Sequence, residues 1–330
     1  MAGDLGRYVE DVASAGSARL PSSDDNAADV IGAVPQAALK AEIAALEDGQ
    51  PLVTSGELRV YCARARAIPC VLREIGRLRE VTFRAAGEGT GKCADIDNFD
   101  AFYLHLFVWD ARADAIVGAY RLGLVDEILA AHGKRGLYTY SLYRYPPRML
   151  RTLRHAIELG RSFVRSEYQR SYAPLFLLWR GIGQIIEHAP QYATLFGSVS
   201  ISSAYSAESR GLMVRYLSSH KADTSPLSRV TPRRPYRDRT AAACSGAAPS
   251  TIEELSGLIA AIEPDRKGVP ILLKQYLRLG GRIVAFTVDR EFGNTLDALV
   301  TVDLRHTEPS LLERYMSEAG AQAFRAYHAF

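Results

Sequence analysis

"ELGRSFVRSEYQRSYAPLFLLWRGIGQ" (158–184) runs through three kinds of sequence without a break. With the two residues before it, "AIELGRSFV" reads as a strand. "EYQRSYAP" is polar and turn-rich, and "LFLLWRGIGQIIEHA" is apolar enough to be a buried helix. Downstream, "TLFGSVSISS" is a further strand. "SAESRGLMVRYLSSH" is an amphipathic helix with Ser203 or Ser206 as N-cap. Upstream, "FYLHLFVWD" and "AIVGAYRLGL" form a hairpin across the charged turn "DARAD". "ELRVYCARA" (57–65) precedes them as a first strand. In the helix "IPCVLREIGRLREVTFR", Ile68, Val71, Leu72, Ile75, Leu78 and Phe83 fall at helical spacing, with arginines on the other face. This alternation predicts an α/β fold on a mixed sheet.

Toward the C-terminus come a helix at 251–262, the stretch "PILLKQYLRLGGRIVAF", a strand "DALVTVDL" and one terminal helix, "EPSLLERYMSEAGAQAF". Residues 1–50 read as a flexible tail holding one short helix, "PQAALKAEIAAL". Residues 221–250 read as a long loop rich in Arg and Pro. Its "RVTPRRPYRDR" (229–239) suits a phosphate surface or an acidic protein, and equally a solvated loop.

The bulk composition narrows the function classes. The 330 residues are 48% hydrophobic and 23% charged, ordinary for a globular chain with room for a sizeable core. A formal net charge of +3 gives no argument for nucleic acid. No apolar run approaches bilayer length, and no basic segment followed by an apolar one opens the chain. Four cysteines (Cys62, Cys70, Cys93, Cys244) and seven scattered histidines show no metal spacing. A cytoplasmic chain with reduced thiols and no metal is the expectation.

"AAGEGTGKCAD" (85–95) is one residue short of a P-loop, with Cys93 where a magnesium-binding Ser or Thr would stand. A P-loop follows a buried strand and opens a helix. Here a helix precedes the glycines, and Asp95, Asp97 and Asp100 follow them. The glycines are expected instead to give a pliable cover between a helix and a strand, with Glu88 and Lys92 available to meet a substrate or partner.

The strand, turn and helix of 158–184 resemble the central unit of the GNAT acyltransferase superfamily. In that superfamily the strand splays from its neighbour, its backbone pairs with the pantetheine arm of an acyl thioester, and the turn receives the pyrophosphate of CoA. The resemblance extends over 57–304. "RLREVTFR", "DIDNFD", "VGAYRL" and "ELGRSFV" occur in the order seen in the ornithine-lipid and N-acyl amino acid synthases, and more distantly in the acyl-homoserine lactone synthases. "LFGSVSISSAYS" is similar to the hemolysin-like members. "LLKQYLRLGGRIVAFTVDREFGNTLDALVTVDL" is similar to the tail of the lipid and amino-acid enzymes. The resemblance implies a single GNAT-like domain over 51–330, a mixed central sheet flanked by helices, with a C-terminal extension. Some relatives are fused to a glycerolipid O-acyltransferase domain, an activity not expected here.

The superfamily's turn has Arg or Gln, two residues, Gly, one residue, then Gly or Ala. Here Gln169, Arg170, Ser171, Tyr172 and Pro174 occupy the turn, and the glycines are replaced. Fewer free amides imply a weaker CoA cradle and favour a donor on acyl carrier protein, whose single phosphate Arg170 would meet. The donor site is expected at Phe163, Val164, Gln169, Arg170 and Tyr172, with the amides near Phe163 and Val164 polarising the carbonyl.

By the resemblance Glu158 is expected to take the amine proton, directly or through water; otherwise it braces Arg161 or Arg121. Tyr205 is expected to protonate the leaving thiolate or simply to cap the core. The catalytic group is thus Glu158, Tyr205 and Arg161. Arg79, Phe83, Asp97, Asp100, Arg121, Ser200 and Ser202 form the acceptor or active-site network, with the charges paired because they are buried. Leu175, Phe176, Leu178, Trp179, Ile182 and Ile185 border an acyl chain or belong to plain core. The implied activity is transfer of a long, 3-hydroxylated or plain, fatty acyl group from acyl carrier protein to ornithine, giving lyso-ornithine lipid. No cofactor is held permanently; acyl-ACP or acyl-CoA is the donor. The partners implied are the carrier protein, an amino acid and, transiently, the inner membrane face, with no nucleic acid. Two other readings stay open: an N-acyltransferase for another amine or using acyl-CoA, and a non-enzymatic hemolysin-like protein acting on membranes.

Overall fold

A computed structural model describes residues 28–46, 50–223, 229–240 and 248–328. Cys244 and most of the tail expected at 1–50 lie outside the described residues, as do parts of the 221–250 loop.

Helix α1 (Gln36–Ala44) is followed by strands β1 (Val53–Ser55) and β2 (Leu58–Arg64), then by helix α2 (Pro69–Ala85). Helix α1, expected as part of a flexible tail, is docked. Its Leu39 and Ile43 are buried beside Ile68, Val71 and Ile75. The N-cap of α2 is Ile68, which has no capping side chain. The Glu42 carboxylate of α1 supplies the cap instead, accepting from the amides of Cys70 and Val71 at 2.7 and 2.8 Å.

The hairpin strands are β3 (Leu104–Asp110) and β4 (Ala115–Leu124). Helix α3 (Val125–His132) comes next, then α4 (Thr139–Leu142), β5 (Tyr143–Arg144) and α5 (Pro147–Thr152). The decisive unit follows as β6 (Ala156–Val164), a short turn and α6 (Ala173–His188). Strand β7 (Thr194–Ile201) and helix α7 (Ala207–His220) succeed it, with Ser206 as the N-cap of α7. The remaining elements are β8 (Thr231–Pro232), α8 (Ile252–Ile262), α9 (Ile271–Arg278), β9 (Arg282–Asp289), β10 (Thr295–Asp303), α10 (Pro309–Tyr315) and α11 (Glu318–Tyr327). The terminal helix expected as one piece is thus two. Met316 is extended, and Ser317 caps α11 by accepting from the Gly320 amide.

Eight strands form one sheet in the order β1-β2-β3-β4-β6-β7-β10-β9. Only β6 and β7 pair in parallel. Their pairing runs from Ala156↔Thr194 to Leu159↔Gly197 and stops. Beyond that point β6 stays on β4 out to Val164, and β7 stays on β10 out to Ile201. The central strands therefore part. At the point of parting a side chain at Gly197 would put a Cβ 2.1 Å from the Leu159 carbonyl oxygen, so only glycine lets the strands meet there.

One face of the sheet carries the main core, including Leu177, Trp179, Ile182, Val199, Ile201, Met213 and Leu273. The other face is divided. One apolar cluster lies under α1 and α2, a second around Tyr103, Ile128, Tyr143 and Leu299. Between these two clusters lies a band of charge.

Candidate active site

Helix α2 brings Arg79 and Glu80 inward, where both are fully buried. Charges so placed need partners. Arg79 donates to Asp100 at 2.7 Å. Asp100 sits in a one-turn helix, 98–101, closed by a capping box. Asp97 accepts from the Phe99 and Asp100 amides, and Asp100 accepts from the Asp97 amide. From β4, Arg121 reaches Asp97 at 2.6 Å and Asp100 at 3.2 Å. Its guanidinium also lies over the rings of Phe99, Tyr103 and Tyr138. Burial alone would push the Asp100 carboxyl up, but Arg79 and Arg121 outweigh it and hold it well below the usual range. His105 bonds the Asp100 carbonyl at 2.9 Å; burial and Arg79 keep it neutral, pulled down to about 4.

Arg161 completes the network from β6. Two residues of β4, Ala119 and Arg121, pair with Phe163 and Gly160, so β6 carries one residue more than its partner. This is a bulge, and Arg161 within it has φ +51°, a left-handed conformation unusual outside glycine. The bulge aims Arg161 at Asp95 (2.9 Å) and Asp97 (3.7 Å), between the rings of Tyr138 and Phe292. Arg161 also donates to the Tyr138 hydroxyl at 3.2 Å, which donates to Asp289 at 3.0 Å. Arg79, Arg121, Arg161, Asp97 and Asp100 are thus brought together, with Asp95, Tyr138, Asp289 and Phe292 added.

Arg161, Asp95, Asp97, Tyr138, Asp289 and Phe292 line a cavity of about 610 Å³. Lys92, Arg233, Arg234, Arg290 and Glu291 line the same cavity. The segment holding Arg233 and Arg234, expected as a free loop, is tied to the sheet. β8 pairs with β5, the Val288 amide donates to the Arg234 carbonyl, and Pro235 bridges Thr287. Two of its arginines therefore face a cavity.

The glycine-rich stretch is pinned down. Glu80 accepts from the amides of Thr90 and Gly91 and from the Thr90 hydroxyl, and Arg84 donates to Glu80 and to the Lys92 carbonyl. Ser202 donates to the Ala86 carbonyl at 2.6 Å and Ser200 to Glu88 at 2.8 Å, so these two serines fasten the loop to β7. Gly87 and Gly91 take the turns with φ +73° and +74°.

Glu158 stands elsewhere. It is buried, and its carboxylate accepts from the Tyr138 amide (3.0 Å), the Thr139 amide (2.7 Å) and the Tyr103 hydroxyl. Burial raises its affinity for a proton, and these donors oppose the rise. It pairs with neither Arg161 nor Arg121, so the expected brace is made to backbone and Tyr103 instead. Tyr205 is buried in the main core and donates to the Gly268 carbonyl at 2.7 Å; desolvation, with the nearby acids, pushes its hydroxyl well above 10. Phe163 is buried against Phe83 at 6.5 Å between ring centres, and Phe83 against Phe292 at 5.0 Å. Gln169 donates to the Val164 carbonyl, Arg170 is exposed, and the Tyr172 hydroxyl donates to Gln275. Leu178, Trp179 and Ile182 are fully buried in the core, with Leu175, Phe176 and Ile185 packed against it.

Tyr138, Asp289 and Arg290 escaped sequence reasoning, and Arg233 and Arg234 were noted only as part of an Arg-rich loop. Asp289 lies inside the C-terminal stretch already singled out, but neither period nor spacing marks it as a neighbour of Tyr138. Among the described residues no cluster of three His, Cys, Asp or Glu suits a metal, and no helix is long and apolar enough to cross a membrane.

Parted central strands are what the acyltransferase resemblance implies, and comparison with known proteins identifies the class. A model of the acetyltransferase (GNAT) domain matches residues 78–179. A glycine N(alpha)-acyltransferase of Phocaeicola vulgatus is 35% identical over 224 residues, 64% of this chain and 68% of that protein. An L-ornithine N(alpha)-acyltransferase of Rhodobacter capsulatus is 30% identical over 249 residues, 70% of this chain and 85% of that protein. A solved CoA-dependent acyl-homoserine lactone synthase, with SAM and isopentyl-CoA, superposes with a TM-score of 0.38 at 12% identity, covering 80% of this chain and 97% of that one. The chain belongs to the GNAT acyltransferase family.

Proposed function

We propose that this chain is an amino-acid N-acyltransferase that moves a fatty acyl group from a thioester to an α-amino group. One observation carries the reading: β6 and β7 part beside a cavity lined by Arg161, Asp95 and Asp97. A strand edge left without a partner offers amides to an extended donor arm. The thioester carbonyl then lies along Phe163 and Val164, as the resemblance implies, and the acceptor enters from the cavity. Direct attack needs little beyond orientation and one proton acceptor.

The relatives' names put glycine and ornithine forward as acceptors. Ornithine, the acceptor expected from the sequence, would lead to lyso-ornithine lipid. The cavity favours glycine. Its wall holds Lys92, Arg161, Arg233, Arg234 and Arg290 against Asp95, Asp97, Asp289 and Glu291. Asp95 and Asp97 are already engaged by arginines; among the described residues Lys92, Arg233, Arg234 and Arg290 take part in no ion pair, against only Asp289 and Glu291 on the acidic side. That excess suits a carboxylate and opposes a second ammonium group. The donor is a carrier-protein or CoA thioester; exposed Arg170 beside the turn suits the single phosphate of a carrier arm.

Expression in a host lacking such lipids, followed by solvent extraction and mass spectrometry, tests the reading. N-acylglycine is the expected product. N-acylornithine would restore the first acceptor. Lysis of membranes without a new N-acyl amino acid would overturn the enzyme in favour of a membrane-acting protein.

A further inference from the structure

Glu158 has its carboxylate occupied by two amides and a tyrosine hydroxyl. Three of the roughly four lone-pair sites of this buried carboxylate are therefore taken. The transfer still needs a group to take the proton of the acceptor amine, and another carboxylate is better placed.

We propose that Glu88 accepts that proton, an assignment that rests on the amino-acid N-acyltransferase reading. Its position is built in. The Glu88 amide donates to the Phe83 carbonyl at 2.7 Å, at the end of α2. The turn of the β9–β10 hairpin packs on the same backbone so closely that a Cβ at Gly293 would lie 2.6 Å from the Gly87 oxygen and 3.2 Å from the Glu88 Cα. From there the side chain crosses to β7, where Ser200 donates to Oε2 at 2.8 Å. Among the described residues Oε1 takes part in no hydrogen bond or ion pair, so one oxygen is oriented and the other is free.

Ser200 lies three residues beyond Gly197, the last β7 residue paired with β6, roughly 10 Å along the strand. Phe163 and Val164, allowing for the bulge residue, lie about as far beyond Leu159. The carboxylate therefore stands across the gap from the strand edge expected to hold the thioester. Among the charged and titratable groups around it, Arg161 of β6 and Asp297 of β10 act on its charge, and its charge acts on Tyr205 beyond β7. Asp289 of the hairpin is engaged by Tyr138, and Arg84 of α2 by Glu80. Burial, with the like charge of Asp297, lifts the carboxyl to about 7, against the opposing pull of Ser200 and Arg161. A base of that strength is suited to neutral pH.

The step balances. Glu88 removes one proton from the acceptor ammonium. The exposed nitrogen lone pair forms the C–N bond at the thioester carbon. On collapse the C–S bond breaks and the thiolate leaves with the electron pair. It takes up the second nitrogen proton, giving amide and free thiol, and Glu88 returns its proton to water.

The test uses the purified full chain with palmitoyl-ACP and palmitoyl-CoA, each with glycine and with ornithine. It measures thiol release and N-acyl product against pH. Glu88→Gln should lower kcat by about 100-fold or more, with KM for the amine changing much less, and should abolish the acid limb near pH 7. Ser200→Ala, which removes a donor to the charged form and loosens the base, should lower kcat less than Glu88→Gln does and move that limb to higher pH. This second variant decides the matter if Glu88→Gln fails to fold. Active wild type with an unchanged limb in both variants would overturn the assignment alone. Wild type that makes no N-acyl amino acid with any pair would overturn the function, and the assignment with it.

Discussion

Replacing Asp100 by alanine should unfold the charged band from its centre. Asp100 is the only ion-pair partner of Arg79 among the described residues and a second partner of Arg121, and both arginines are at most 1% exposed. Removing one member of a buried pair leaves an uncompensated charge, a cost of about 3–5 kcal/mol. The same carboxylate caps its own turn through the Asp97 amide, so the loss should fall at the upper end. For a chain of this size that is a drop in Tm of roughly 4–7 °C. Urea unfolding of wild type, Asp100→Ala, Asp100→Asn, Arg79→Met and the double variant Arg79→Met/Asp100→Asn would measure it. The double variant should lose less than the sum of its singles, because the pair fails together. The pH dependence has a fixed sign. The folded carboxyl lies below its ordinary value of about 3.9, so its contribution is complete above that value and is lost as the pH falls toward the folded one. The gap between wild type and Asp100→Asn should stay constant from about pH 5 to 8 and narrow below about pH 4. An Asp100→Ala protein within about 1 kcal/mol of wild type, or a gap that widens in acid, would refute the reasoning.

Three further outcomes are expected. Gly197→Ala should lower stability by about 1–3 kcal/mol or more in urea, because its Cβ would meet the Leu159 carbonyl where β6 and β7 part. Calorimetry should detect no ATP binding, since Glu80 already occupies the Thr90 and Gly91 amides that a phosphate would need; tight binding would reinstate the nucleotide loop. Glu158→Gln should cost about 1–3 kcal/mol, because its amide NH2 cannot serve both sides of a site built for two backbone donors; unchanged stability with lost activity would return Glu158 to the chemistry.

Much of the fold was legible in the residues. The hairpin β3–β4, the strand–turn–helix of β6 and α6, and the helical face of α2 follow from periodicity, which is a local property. Helix α3 and strand β1 were not read, since both are short and carry little pattern. The split of the terminal helix turns on Met316 and Ser317, which are unremarkable in sequence. Their break becomes favourable only where the Glu187 carboxylate of α6 meets Ser317.

The site divides the same way. Its ionic network was visible because Arg79, Arg121, Arg161, Asp97 and Asp100 are charged residues inside or beside otherwise apolar segments, and such charges must find one another once buried. The sequence alone thus determined the family pattern, the strand that parts and the charges that must pair. Only the tertiary structure decided which donors each carboxylate meets. The sequence put Glu158 forward for the chemistry and left Glu88 in a loop. Folding gives one to the Tyr138 and Thr139 amides and leaves the other at the gap with a free oxygen, because hydrogen-bond partners are assigned by distance in space, which no spacing along the chain encodes.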